Sequence, residues 1–255
     1  MKPGVVSVVR DHSMYGKCVA DNPYFADFEK VCFDNNVQNL AIPARYNSFI
    51  DGMAPDEDRW IVFCHEDWMP RQDMAKLVSG LDKSRIYGPI GVFVQKRLLR
   101  DFIIPVGCID MCDKNGLRHV RVGRSCPRSG RVDTLDCQCM IIHSDLLRRY
   151  GLRFDERLAF DMYVEDFCAW AHARHGIKTF VVPIKCTHFS YGVTGKSFND
   201  ALEHVRKKFE KVHKTYMTVV GYKECFGRPV RSGFHHTKFP RISQRLNGLV
   251  YKVNK

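Results

Sequence analysis

The stretch Trp60-Ile-Val-Phe-Cys64-His65-Glu66-Asp67-Trp68 places an imidazole and two carboxylates directly after an apolar run. A β-prone run without alternation reads as a strand buried on both faces. In open α/β sheets ligands bind just beyond the carboxyl ends of the strands. His65, Glu66 and Asp67 therefore stand where a divalent cation could be held. Mg2+ and Mn2+ take oxygen ligands, and Mn2+ also accepts imidazole. The same acids could equally cap the next helix or face solvent.

The elements that must carry such a site follow from patterning. Val5–Val9 reads as a first strand ending on Arg10-Asp11-His12, and 27–33 as a second ending on Asp34-Asn35-Asn36. Pro43 opens a helix to about Met53, since proline is tolerated in the first helical turn. A helix is expected over 73–81, a strand over 86–94, and a hairpin of 102–110 with 117–122 around Asp113-Lys-Asn-Gly116. Gly88 and Gly91 would let something approach the backbone closely. A loop over 124–130, rich in turn formers, leads to one long strand, 131–142, carrying Asp136 in its middle. Ser144 is expected to cap a short helix that stops at Gly151; a helix from about Asp161 to His175 precedes a strand over 179–182. Ser197 and Asp200 have the spacing of a capping box. They would open a long helix with Phe198, Leu202, Val205, Phe209, Val212 and Tyr216 along one side.

At 255 residues, 45% hydrophobic and 27% charged, the chain fits one α/β domain with a C-terminal appendage. No apolar run approaches the ~18–20 residues of a membrane-spanning helix, and the first residues lack the apolar stretch of a secretory signal. The eleven cysteines form no Cys-x-x-Cys pair, which argues against structural zinc and suits a reducing cytoplasm. Of the net charge of +12, +10 lies in 196–255, so a basic tail follows a nearly neutral body. That asymmetry points to a polyanionic surface, membrane or nucleic acid. Ile242, Leu246, Leu249, Val250 and Val253 fall on one side of a final amphipathic helix flanked by Arg241, Arg245 and Lys252.

The order of certain blocks adds to this. They are Val5–Val9, Phe33-Asp34-Asn35, Ala44-Arg45-Tyr46-Asn47, Phe63–Asp67, Thr134-Leu135-Asp136, Leu152–Cys168 with Glu165-Asp166, Val181-Val-Pro183 and Thr187-His188. Together they resemble the family-2-like glycosyltransferases of GT-A fold, in a branch that writes the usual Asp-x-Asp as His-x-Asp. The resemblance implies a Rossmann-like three-layer α/β/α sandwich with a mixed central sheet over 1–195. A basic helical extension over 196–255 would lie on or beside it.

It also implies an enzyme that moves a sugar from a nucleotide-diphosphate donor, a UDP-sugar in the first instance, to an acceptor hydroxyl on a glycan or lipid-linked glycan. Asp67 becomes the first choice as ligand to Mn2+ or Mg2+, with His188 and His65 as further ligands. Arg10, Asp34, Asn35, Arg45, Asn47 and Glu66 become donor-binding candidates, and Asp136 one that orients sugar hydroxyls. Asp166, beside Glu165 at a helix start, becomes the base of an inverting displacement, kept ionised by the helix dipole. A cytoplasmic protein, peripheral on the inner face of an anionic membrane, is the expected setting.

Two other classes compete. A nucleic-acid-binding protein would explain the basic tail but not the ordered acidic blocks, and no zinc-finger or RNA-binding signature accompanies the charge, so no nucleic acid is expected. A GT-A-like protein could also bind nucleotide sugars without turnover.

Overall fold

In the computed structural model the described residues are 1–95, 101–116, 119–124, 128–190 and 195–209, with the backbones of three short later strands. The chain opens with β1 (Gly4–Val9), α1 (His12–Tyr15), β2 (Glu29–Asp34), α2 (Ile42–Asp51) and β3 (Trp60–Cys64). The unalternating runs of β1 and β3 are explained by two cores, one on each sheet face. Val5, Val9, Val62 and Cys64 enter the first, and Val6, Val8, Ile61 and Phe63 enter the second. Successive side chains point to opposite faces, so a strand covered on both sides must be apolar throughout.

The chain continues through β4 (Trp68–Pro70), α3 (Met74–Ser79), β5 (Arg85–Gly88), β6 (Ile90–Gln95), β7 (Asp101–Cys112) and β8 (His119–Arg124). There follow β9 (Gly130–Val132), β10 (Thr134–Leu135), β11 (Cys139–His143), α4 (Ser144–Arg149) and α5 (Tyr163–His175). Last come β12 (Lys178–Val181), β13 (Cys186–His188), α6 (Lys196–Phe209), β14 (Thr215–Tyr216), β15 (Glu224–Cys225) and β16 (Val230–Ser232).

The main sheet has the order β2-β1-β3-β11-β5-β12-β9. It is mixed: β1 runs parallel to β2 and β3, while β11 is antiparallel to both β3 and β5. Side chains from α2, α4, α5 and α6 fill the core on one face. On the other face α1 and α3 share the core with β6, β7 and β13 of a second sheet. No described helix is long and apolar enough to cross a membrane, and no disulfide joins the described cysteines.

Two expected strands are in fact broken. The run 86–94 divides at Pro89 into β5 of the main sheet and β6 of the second. Proline has no N–H to give the ladder, so the chain changes sheet there. What approaches Gly91 is β10: a Cβ at Gly91 would lie 2.4 Å from the Thr134 carbonyl oxygen. The run 131–142 is likewise three strands, and Asp136 lies in the turn between β10 and β11 rather than within a strand. His143, not Ser144, is the cap of α4; the Ser144 hydroxyl instead donates to the Glu57 carbonyl at 2.8 Å. The expected capping box is absent as well, because α6 already begins at Lys196 and the Ser197 hydroxyl donates to Asp161 at 3.2 Å. Phe198, Leu202, Val205 and Phe209 are buried on one side of α6, as the spacing predicts. Val212, Tyr216 as a side chain, and the final amphipathic segment lie outside the described residues.

Candidate active site

The parallel strands β1, β2 and β3 end together, bringing Arg10, Asn35 and the segment His65–Asp67 to one sheet edge. β13 pairs antiparallel to β4 in the register His188↔Trp68, which carries His188 to the same place. The Phe189 N–H donates to the Asp67 carbonyl at 3.0 Å and fixes that approach. Ligand atoms of His65, Asp67 and His188 all lie within 4.8 Å of one another. Among the described residues this is the single group of its kind.

The electrostatics suit a cation. His188 Nε2 and Asp67 Oδ1 face each other at 3.2 Å as a buried ion pair outside hydrogen-bond geometry, and neither atom has a hydrogen-bond partner elsewhere. Buried polar atoms are seldom left so, and a carboxylate oxygen with two imidazoles is a donor set that Mn2+ accepts. Burial alone would raise the Asp67 carboxyl, but the adjoining His188 outweighs it and holds the acid at about 2. Burial would lower His188, and Asp67 outweighs that in turn, leaving the imidazole above its ordinary value. His65, more burial than partner, is pushed down to about 4 and is neutral at physiological pH.

Beside this group opens a cavity of about 380 Å³ lined by Arg10, Asn35, Leu40, Ile42, Tyr46, His65, Glu66, Asp67 and Phe160, among others. Phe160 is 57% exposed and stacks on the His65 ring, with centroids 5.6 Å apart and planes inclined by 26°. The two walls are tied by the Ile42 N–H donating to the Ala159 carbonyl at 3.0 Å.

Several donor-binding candidates are engaged by the fold. The Glu66 carboxylate accepts the backbone N–H groups of Arg10 and Asp11, joining the exits of β1 and β3. The Asn35 amide closes its own loop: it donates to the Leu40 carbonyl and accepts the Leu40 N–H, each at 2.9 Å. Asn47 does the same for a distant segment, accepting the Phe154 N–H at 2.9 Å and donating to its carbonyl at 3.0 Å. Arg45 donates to Gln38 at 2.8 Å. Asp34 is exposed at the end of β2, 3.0 Å from His12; its carboxyl is lowered by the Asn36 N–H and then by His12. Arg10 is exposed on the cavity wall.

The acids of α5 part company. Met162, which precedes the helix, is in the left-handed region (φ 63°), strained for a side chain with a Cβ. That turn delivers Tyr163, Glu165 and Asp166 in the first turn, all buried. Glu165 accepts the Cys137 thiol at 2.9 Å, and burial together with the charge of Asp136 drives its carboxyl well above the ordinary range. Asp136 accepts hydrogen bonds from the backbone and side chain of Gln138. Asp166 is paired through Oδ2 with Lys208 Nζ at 2.6 Å, while its Oδ1 is buried without a partner. Burial raises its carboxyl and Lys208 only partly offsets this, so desolvation outweighs the dipole effect expected from the sequence.

Patterning gave no sign of Tyr163, whose hydroxyl reaches His65, of Phe160 over the same ring, or of Lys208 as the partner of Asp166. Each contact joins residues far apart in sequence.

The chain has the GT-A class of α/β fold, by its mixed sheet and by its structural likeness to a solved glycosyltransferase. No family model matches the sequence, and no curated protein does. Among solved structures, "GalNAc-T7 with UDP, GalNAc and Mn2+" aligns over 81% of this chain and 48% of its own, with TM-score 0.53 and 13% identity. TarS of S. aureus aligns over 83% and 40%, with TM-score 0.44 and 15% identity. The chain thus spans about half or less of the length of these two structures.

Proposed function

We propose that this chain is a metal-dependent glycosyltransferase that moves a sugar from a nucleoside-diphosphate donor to an acceptor hydroxyl. The observation that carries the reading is the His65, Asp67 and His188 group, with the buried Asp67–His188 pair facing each other outside hydrogen-bond geometry, at the edge of a cavity on a GT-A fold. The GalNAc-T7 structure, which holds UDP and Mn2+, supports a UDP-sugar as donor class and Mn2+ as the ion. A divalent ion held there would offset the charge that builds on the departing nucleoside diphosphate.

The residues of the chain supply the rest. Arg10 and the exposed Asp34 would meet the nucleoside, while Glu66 and Asn35 act at one remove by holding the loops that frame it. A base must be ionised and must have an oxygen to spare. At Asp166, Lys208 supplies a counter-charge at Oδ2 that works against the burial of the carboxylate, and Oδ1 has no partner. Glu165 has a second acid, Asp136, for a neighbour instead of a cation, which favours its protonated form. We therefore assign the base to Asp166 and a single, inverting displacement to the reaction. Asp136 would orient a sugar hydroxyl.

The acceptor class we assign is a glycan or lipid-linked glycan, supported by the +10 charge of 196–255, which suits an anionic surface. Flotation with anionic and neutral vesicles checks this part, and equal recovery on both removes it. The central experiment is a thermal-shift screen of UDP-, GDP- and dTDP-sugars with and without Mn2+. A ligand that binds only the folded chain raises its stability by mass action. Stabilisation by one nucleotide class in Mn2+ alone, followed by release of the nucleoside diphosphate on addition of acceptor, is the expected result. No response to any nucleotide would overturn the proposal.

A further inference from the structure

The proton on the His65 ring can be placed from the bonds around it. The Tyr163 hydroxyl donates to the Cys137 carbonyl at 2.9 Å and lies 2.9 Å from His65 Nε2. A carbonyl can only accept, so the single phenolic proton is committed to it. The contact with His65 must then be made by a phenolic lone pair, and the imidazole must supply the hydrogen. Nε2 therefore carries the proton, and Nδ1 keeps its lone pair.

We propose that Tyr163 is a positioning residue that fixes His65 as the Nε2–H tautomer and so makes Nδ1 the nitrogen offered to a divalent cation shared with Asp67 and His188. The inference rests on the metal-centre reading above and adds to it which atom binds and what decides this. Partners behind a ligating histidine commonly set its tautomer and orientation in this way.

The surroundings hold the arrangement in place. The His65 main chain donates to the Gln138 carbonyl at 3.0 Å. Two consecutive carbonyls of the turn after β10 thus anchor both ends of His65: Gln138 takes its backbone directly, and Cys137 takes its ring through Tyr163. Tyr163 is 0% exposed, with its ring at the edges of Tyr46 and Phe154, centroids 6.0 and 5.9 Å away. Phe160 stacks on the imidazole. Turning the ring over would cost the Tyr163 bond and put a carbon where the ligand nitrogen should be.

The test starts with the metal-free protein labelled with 15N in its histidines. Long-range proton–nitrogen correlation reads the tautomer, and the His65→Gln spectrum identifies the signals. The wild-type chain should show His65 protonated at Nε2, with that proton slow to exchange; in Tyr163→Phe, which keeps the buried ring, it should exchange rapidly. Mn2+ titration by calorimetry should then show affinity reduced on the order of 10–100-fold in Tyr163→Phe, with near-UV circular dichroism unchanged. An Nδ1–H tautomer in the wild type overturns the inference without any variant. So does unaltered Mn2+ affinity in Tyr163→Phe. A wild-type chain that shows the Nε2–H signal yet binds no Mn2+ overturns the metal centre itself rather than the tautomer.

Discussion

Lys208 Nζ lies 2.6 Å from Asp166 Oδ2 and 3.0 Å from Asp155 Oδ2, so one cation of α6 bridges two buried carboxylates. The carboxylates are 1% and 7% exposed and the lysine 20%. α6 is thereby tied to the first turn of α5 by charge as well as by its apolar side. Removing one partner of a buried pair leaves an uncompensated charge, which costs more than the pair contributes.

Lys208→Met should therefore destabilise the chain by about 3 kcal/mol near neutral pH. The sign with pH follows from both acids. Burial raises Asp155, but Arg157, His204 and Lys208 together hold its carboxyl far below the ordinary range. Its contribution is present above about pH 4, the unfolded value, and is lost as pH falls toward the folded one. Asp166 is already raised by burial, and without Lys208 it rises further, so its ionised form becomes a larger burden. The Asp166 share of the variant's deficit, read by urea unfolding, should be greatest near pH 7 and shrink as pH falls and that acid protonates, whereas the Asp155 share persists below about pH 4. A deficit independent of pH would assign the effect to lost packing of the lysine stem.

Asp166→Asn separates base from brace. It keeps the size of the side chain but cannot take a proton, so sugar transfer should fall on the order of 10^2–10^4-fold. Affinity for the donor and Mn2+ should hardly change. Glu165→Gln should retain transfer, since Glu165 is held protonated in its buried site. Full transfer by Asp166→Asn, measured with an identified acceptor, would remove Asp166 from the chemistry and leave it as the anchor of α6.

Metal affinity should depend on pH through His188. Its imidazole is raised above 6.5 by Asp67 in spite of burial, and the ion must displace that proton. The Kd for Mn2+ should fall about tenfold per pH unit up to the raised pKa and level off beyond it. In the metal-free chain the pair works the other way. The His188 part of its stability is full below about pH 6.5 and is lost as pH rises through the folded value. The Asp67 part is present above about pH 4 and is lost only as pH falls toward about 2. Calorimetry in a buffer series checks this, and a flat profile would exclude His188 as a ligand. Asp67→Ala should abolish metal binding at every pH while leaving the chain folded.

What was legible in the sequence was what local pattern determines. β3 announced itself because a strand covered on both faces has no polar position, and the turn of polarity at His65 marks the sheet edge. The apolar side of α6 was equally plain from its spacing. Pro89 and the turn at Asp136 were misread because β5, β6 and β9 to β11 are so short that two sheets share one hydrophobic run. The proline was visible; which sheet each half would join was not. The roles of Asn35, Asn47 and Glu66 were hidden for another reason. Their side chains pair with backbone groups, and every residue offers those groups, so no pattern marks the partner. Tyr163 and His65 are 98 positions apart, and nothing near either predicts their meeting.

The last prediction concerns Phe160. A large apolar side chain that is 57% exposed gains little from the core, and a substitution at such a surface position usually shifts stability by no more than about 0.5 kcal/mol. Its ring nonetheless stacks on His65 and forms part of the cavity wall with Leu40, Ile42 and Ala159. An aromatic face beside the proposed metal centre is suited to the apolar face of a sugar or base carried on the donor's phosphates. Such contacts contribute about 0.5–1.5 kcal/mol, so Phe160→Ala should weaken donor binding roughly 2–10-fold with the unfolding midpoint almost unmoved. Affinity for Mn2+ alone should stay close to the wild-type value, because Tyr163 still holds the imidazole through Nε2. Calorimetry of the donor and of Mn2+ on the same variant distinguishes the cases. Loss of Mn2+ affinity along with donor affinity would mean that Phe160 serves the His65 ring, and unchanged donor affinity would place the ligand away from this wall.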